Sequence, residues 1–167
     1  MKSHNKIWVT SDTHFYHDSL VEKGIRPADF SRVIAANWMH LINSEDTVIH
    51  LGDVTWDGLS YIDCLPGRKI LVKGNHDNRS LAAYMKSFDF VCDSFTLQHF
   101  GLNMLFTHAP VWFHDCDVNI HGHLHNLAEI HVEYCRHHLI SLEKTGYKPV
   151  LLESIAADIR KRIAEEG

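Results

Sequence analysis

Thr47-Val48-Ile49-His50-Leu51-Gly52-Asp53 is the stretch whose reading decides the fold. Its first five residues are mostly apolar or β-branched and read as a buried strand, and Gly52-Asp53 follows with no spacer. An aspartate at that point would cost several kcal/mol to bury unpaired. Either a metal ion or a role as the N-cap of the following segment removes that cost.

Working outward, the same arrangement recurs on both sides. Ile7-Trp8-Val9-Thr10 is a run of strand formers that ends at Ser11-Asp12, and Lys69–Val72 is another that ends at Gly74-Asn75. Between the first two runs a helical pattern covers Phe30–Ile42, with Phe30, Val33, Ile34, Trp38, Leu41 and Ile42 on one face and Asp29 or Ser31 as caps. Between the second and third, a short helix at Leu59–Leu65 stops at Pro66-Gly67. Strand, helix, strand, helix, strand predicts right-handed crossovers on a parallel sheet. Ligands of such sheets gather beyond the carboxyl ends of the strands. Asp12, Asp53 and Asn75 each stand one to three residues past a predicted strand end.

Beyond a helix near Arg79–Ser87 the texture changes to short strands: Phe90–Cys92, Phe95–His99, Asn103–Thr107 and Val118–His121, with tight connections such as Phe100-Gly101. His137–Leu142 and Lys148–Leu152 read as two more strands around a Thr145-Gly146 turn. An amphipathic helix from Ser154 to Glu165 closes the chain. With no internal repeat, linker or low-complexity segment, the expectation is one domain over 1–167. A chain this long buries roughly 68–70% of its unfolded surface.

The formal charge of −5 disfavours a basic groove along a nucleic-acid backbone. No apolar run is long enough for a secretion signal or a bilayer span, so a cytoplasmic protein is expected. The four cysteines Cys64, Cys92, Cys116 and Cys135 form no C-x-x-C pair and read as small apolar residues, with Cys116 placed near the metal-binding motifs. Nothing in the pattern sets an oligomeric state. Histidine is the anomaly, with fifteen in the chain.

Those histidines and the acidic residues fall into ordered motifs: Asp12-Thr13-His14, Gly52-Asp53, Gly74-Asn75-His76-Asp77, Thr107-His108-Ala109-Pro110 and Gly122-His123-Leu124-His125. Asp12 and His14, and likewise His123 and His125, are two apart, so at a strand end each pair points to one side. Two carboxylates, an amide oxygen and several imidazoles form about the inventory that holds two divalent ions. Asn75 also suits a plain turn. His17 lies near enough to the first motif to touch substrate. His50 reads as a satisfied core histidine, and His4, His40, His99, His114, His131, His137 and His138 as surface or packing residues. Arg26, Arg79 and Arg136 are candidates for an anionic group, and Trp112-Phe113 for an apolar rim.

In this order the motifs resemble the calcineurin-like metallophosphoesterase superfamily, from Asp12 to His125. Ser11–His17 and Gly146–Val150 look like its small single-domain bacterial and phage branch. The resemblance implies an α/β fold, a two-sheet β-sandwich flanked by helices in four layers, αββα. It implies one metal on Asp12, His14 and His125, a second on Asn75, His108 and His123, and Asp53 bridging them. It gives His76 contact with the phosphoryl group, stabilising the transition state and assisting the leaving group. The Asp-Arg-Gly of phosphoprotein phosphatases is absent after Asp53, so the Asp that orients the catalytic His there is missing, with Asp57 or Asp77 as substitutes.

The expected reaction is hydrolysis of small phosphodiesters, of nucleotide or cyclic-nucleotide type, by a metal-bridged hydroxide. Two divalent ions less two carboxylates and a hydroxide leave about one positive charge, which matches a diester anion. Manganese is the expected metal, ahead of iron, zinc or nickel. A phosphomonoesterase or nuclease on the same site is the alternative, and a non-catalytic scaffold a more distant one.

Overall fold

The computed structural model describes residues 5–125 and 136–166. His4, His131 and Cys135 lie outside them. Two mixed sheets carry the chain. In the first, β1 (Ile7–Thr10), β2 (Thr47–His50), β3 (Arg68–Val72) and β4 (Phe90–Cys92) run parallel, and β9 (Val150–Leu151) joins β1 antiparallel, giving the order β4-β3-β2-β1-β9. The second has the order β5-β6-β7-β8, from Ser94–His99, Leu102–Thr107, Val118–His121 and His137–Leu139. There β5 and β6 are antiparallel, whereas β6, β7 and β8 are parallel. With flanking helices this is the expected α/β sandwich.

Two cores follow from the pleat. Trp8, Val48 and Leu71 face outward from the first sheet and pack with Phe30, Ile34 and Trp38 of α2 (Phe30–Leu41) and Ile62 of α3 (Ser60–Cys64). Val9, Ile49 and Val72 face the other way and meet Met104, Phe106, Val118 and Ile120 of the second sheet. Helix α6 (Leu152–Glu166) adds Leu152, Ile155 and Ile159 to that inner cluster. Asp46 fixes the start of the first sheet, its carboxylate accepting from the Lys6 and Asn43 amides and the Trp8 indole.

Several expectations need correction. His137–Leu142 and Lys148–Leu152 do not form a strand pair. After β8 the chain makes a helical turn, α5 (Leu142–Thr145), closed by Gly146 at φ 64°, and β9 lands in the other sheet. Helix α6 begins at once after β9, two residues earlier than expected. A short helix α1 (Asp18–Glu22) was not foreseen, and the helix after Arg79 shrinks to α4 (Leu81–Tyr84), capped by Ser80. Asp29 sits at the N-cap of α2 but makes no side-chain cap bond, its carboxylate pairing with Arg32 instead. The connections of the second sheet are not all tight. Phe100 and Gly101 both have positive φ and close the β5–β6 hairpin, but β6 and β7 are parallel and need a crossover. That crossover carries His108.

Candidate metal centre

The turns after β1, β2 and β3 lie side by side past the strand ends. Asp12 N–H donates to Gly52 O (2.9 Å), His14 N–H to Asp53 O (3.0 Å) and Phe15 N–H to Val54 O (3.1 Å), so the first two turns extend the sheet as a ladder. Gly52, at φ 95°, lies so close to the Gly74 backbone that a Cβ would collide with it. Asp77 ties the second and third turns, accepting from the amides of Asp53 (2.8 Å), Val54 (3.1 Å) and Gly74 (2.8 Å) and from the Tyr84 hydroxyl. From the second sheet, Gly122 N–H donates to His108 O, and a Cβ at Gly122 would collide with Ser11 and the Asp12 carboxylate.

Among the described residues, five of the eight non-glycine residues with positive φ are candidate ligands: Asp12 (52°), His14 (45°), Asp53 (55°), His123 (69°) and His125 (46°). Each such backbone costs about 1 kcal/mol or more, and strain of this kind concentrates at functional sites. It also corrects the reason for the two-residue spacing. Asp12 and His14 reach one place because both are left-handed about Thr13, not because a strand pleat continues through them.

The side chains converge in two groups, Asp12 with His14 and His125, and Asp53 with His108 and His123. Asp12 Oδ2 accepts from Ser11 Oγ (2.5 Å) and from the His123 amide (2.9 Å). Asp12 Oδ1 is buried with no hydrogen-bond partner and faces His125 Nε2 at 3.6 Å and His14 Nε2 at 3.8 Å. Burial pushes the Asp12 carboxyl up and drives His14 well below the usual histidine range, with His125 adding to the effect on His14. In the second group His108 Nε2 lies 2.9 Å from Asn75 Oδ1, 3.0 Å from His123 Nδ1 and 3.5 Å from Asp53 Oδ2.

The donor chemistry tests whether a cation fits. His108 Nδ1 is 2.7 Å from Leu51 O, which can only accept, so Nδ1 carries a proton and Nε2 is the nitrogen that can present a lone pair. That lone pair points at the oxygens of Asn75 and Asp53, an arrangement that repels unless positive charge sits between them. The first group behaves alike. Glu143 Oε1 accepts from His125 Nδ1 at 3.3 Å, which turns Nε2 towards the orphaned Asp12 oxygen and His14 Nε2. Glu143 and then Asp12 raise the His125 pKa against its burial. The residues fit divalent cations on both sides, with Asp53 Oδ2 facing each group, 3.6 Å from His14 Nε2 and 3.5 Å from His108 Nε2.

His76 stands exposed above the groups. Its amide donates to Asp53 Oδ1 (2.9 Å) and its ring lies 5.8 Å from that of His14. Neither Asp57 nor Asp77 orients that ring: the Asp77 carboxylate is spent on backbone amides, and the contact at Asp57 is its carbonyl accepting from Arg79. His17 is 5.6 Å from His14, with Ser19 Oγ on its Nδ1, and burial with His76 lowers its pKa. His50 is the expected core histidine, held by Thr13 Oγ1 and the Gly52 amide.

Two further readings change. Arg26 does not face a substrate. Its side chain is fully buried, donating to the Asp12 and Thr13 carbonyls and pairing with Glu143 at 2.7 Å. Together Arg26 and His125 hold the Glu143 carboxyl far below its ordinary range in spite of its burial. Arg136 donates to Cys116 O, while Cys116 itself is buried, as expected, and belongs to neither metal group. Sequence reasoning missed Glu143 and Ser11. Only Ser11, adjacent to Asp12, carried a local signal.

A family model described as calcineurin-like phosphoesterase matches residues 5–148. An uncharacterized protein of Methanocaldococcus jannaschii is 26% identical over 176 residues, covering 95% of this chain and 94% of that protein. The gene 66 protein of Mycobacterium phage D29 is 33% identical over 81 residues, covering 44% of this chain and 41% of that protein. The crystal structure of a protein of unknown function from Aquifex aeolicus superposes with a TM-score of 0.79 at 32% identity, covering 91% of this chain and 98% of that one.

Proposed function

The chain belongs to the calcineurin-like phosphoesterase family, and we propose that it hydrolyses small phosphodiesters. One divalent ion would sit on Asp12, His14 and His125, a second on Asn75, His108 and His123, and Asp53 would serve both. The position of Asp53 Oδ2, 3.6 Å and 3.5 Å from a ring nitrogen of each group, is the observation that most supports this reading.

When bound, the two ions supply a water acidic enough to attack near neutral pH and positive charge against the phosphoryl oxygens. The rest falls to the chain. The Asp53 carboxylate holds the His76 amide, so the residue that faces the ester is registered to the shared ligand. His76 then stabilises the charge that develops on the phosphoryl group and delivers a proton to the departing oxygen. His17, next to His14, is a second contact for the ester. Asp12, Asp53 and a hydroxide would together cancel three of the four positive charges of two divalent ions, and the remainder of about one suits a monoanionic diester better than a monoester dianion. Manganese is the first choice for these nitrogen and oxygen donors, with iron, zinc or nickel as substitutes. Among the described residues no helix is long and apolar enough to cross a membrane.

The test uses metal-stripped protein, a paired chromogenic diester and monoester, and manganese returned, with His76→Ala and Asp53→Asn alongside. Manganese-dependent diester cleavage that both substitutions lower at least a hundredfold is the expected result. Turnover of the monoester alone would replace this reading with a phosphomonoesterase.

A further inference from the structure

Trp56 belongs to none of the motifs, yet it borders the site. Its indole lies on the His17 ring with centroids 3.9 Å apart and planes 13° from parallel, so one face is covered. Trp56 is nevertheless 52% exposed, which leaves the opposite face to solvent. His76 stands at its side, 5.3 Å away and tilted by 51°. The His14 ring in turn lies 5.6 Å from His17 and 5.8 Å from His76, so the indole is one ring removed from the candidate metal group.

The platform is held firmly. Trp56 N–H donates to Phe15 O (2.8 Å), Phe15 and Thr55 form a parallel bridge, and Thr55 Oγ1 bonds to Phe15 O and Gly58 O. Ser19 Oγ holds the His17 ring at Nδ1. An exposed indole that packs on one face only gives up much of the burial a tryptophan can gain. Trp112 and Phe113, expected as an apolar rim, do not compete for the role. The ring of Trp112 packs on His137, and among the described residues neither contacts His14, His17, His76 or His108 by its ring.

We propose that the free face of Trp56 stacks the nucleobase of a nucleoside phosphate ester whose phosphate sits at the candidate metal centre. The proposal rests on the phosphoesterase reading and names its substrate class. An exposed indole face favours a planar aromatic ring of any base, so stacking selects nucleosides over plain sugars with little choice among bases.

The test titrates the full chain, loaded with manganese, with adenosine monophosphate and with ribose phosphate by calorimetry. The two share sugar and phosphate and differ in the base. Wild type should bind the nucleotide roughly tenfold more tightly. Trp56→Ala should remove that margin, and Trp56→Phe should keep most of it. Nucleotide should also quench tryptophan emission in wild type and not in Trp56→Phe, a readout that stands even where Trp56→Ala fails to fold. Equal affinities in wild type, a margin that survives Trp56→Ala, or quenching unchanged in Trp56→Phe would each overturn the proposal. Turnover of a chromogenic diester by the same wild-type sample is scored apart: turnover with no margin removes the platform alone, and a margin with no turnover removes the esterase reading alone.

Discussion

Glu143 reaches both the buried Arg26 guanidinium and the outer nitrogen of His125. A carboxylate behind a ligating histidine fixes its tautomer and raises its basicity. Glu143→Gln should therefore weaken divalent metal binding about 10–100-fold. It should also lower stability by about 3 kcal/mol, because it leaves Arg26 buried with its charge uncompensated. Metal titration and urea unfolding read the two effects separately, and normal metal affinity in the variant would rule out the supporting role. Gly122→Ala places a methyl against Ser11 and Asp12. It should abolish metal uptake while leaving a folded chain with a lower melting temperature. At this scale the sequence was read well where a residue type carries its own signal. A glycine between crowded turns and an aspartate at a strand end are such residues, whereas Arg26 and Glu143 look like ordinary surface charges 117 positions apart.

The turns after β2 and β3 are one unit, because Asp77 collects three of their amides and the Tyr84 hydroxyl. Asp77→Ala strands those donors, and hydrogen bonds to a charged acceptor contribute about 1.5–3 kcal/mol each. The expected loss is at least about 3 kcal/mol, together with impaired metal binding, although Asp77 is no member of either candidate metal group. Equilibrium unfolding with metal titration on Asp77→Ala and Asp77→Asn tests this, and an unperturbed variant would refute the clamp. The parallel half of the first sheet was legible because apolar runs alternate with a helical period of Phe30, Ile34 and Trp38. The region after β8 was not. His137–Leu142 is rich enough in strand formers to read as one strand, and only its placement decides that Leu142 turns into α5 and packs in the outer core.

For the molecule as a whole, buried histidines tie stability to pH. Burial lowers the pKa of His50 and of His138 from 6.5 to about 4, with Arg162 adding to the effect at His138. Both stay neutral in the folded chain while the unfolded chain takes up protons below about 6.5. Their contribution is thus complete above that pH and lost as pH falls towards 4. Each is worth up to about 3 kcal/mol by linkage. Urea midpoints should fall steeply between pH 7 and 4.5, and His138→Gln should flatten that slope. A ligand that binds only the folded state at a hundred times its Kd adds about 2.7 kcal/mol. Saturating manganese should therefore raise the melting temperature by about 5 °C or more, reversed by chelator, and an unchanged melt would argue against the metal centre.

The sequence by itself determined the parallel framework and the order of Asp12, His14, Asp53, Asn75, His76, His108, His123 and His125 along it. Both rest on local chemistry: apolar period, glycine where backbones touch, and polar residues that a strand end cannot bury without a partner. The tertiary structure alone decided that Arg26 and Glu143 stand behind His125, that Asp77 clamps two turns rather than orienting His76, that Trp56 lies on His17, and that the chain changes sheets between β8 and β9. Those are pairings between residues far apart in the chain. Close packing and charge compensation select them only once the two sheets have met, so they leave no periodic mark in the sequence.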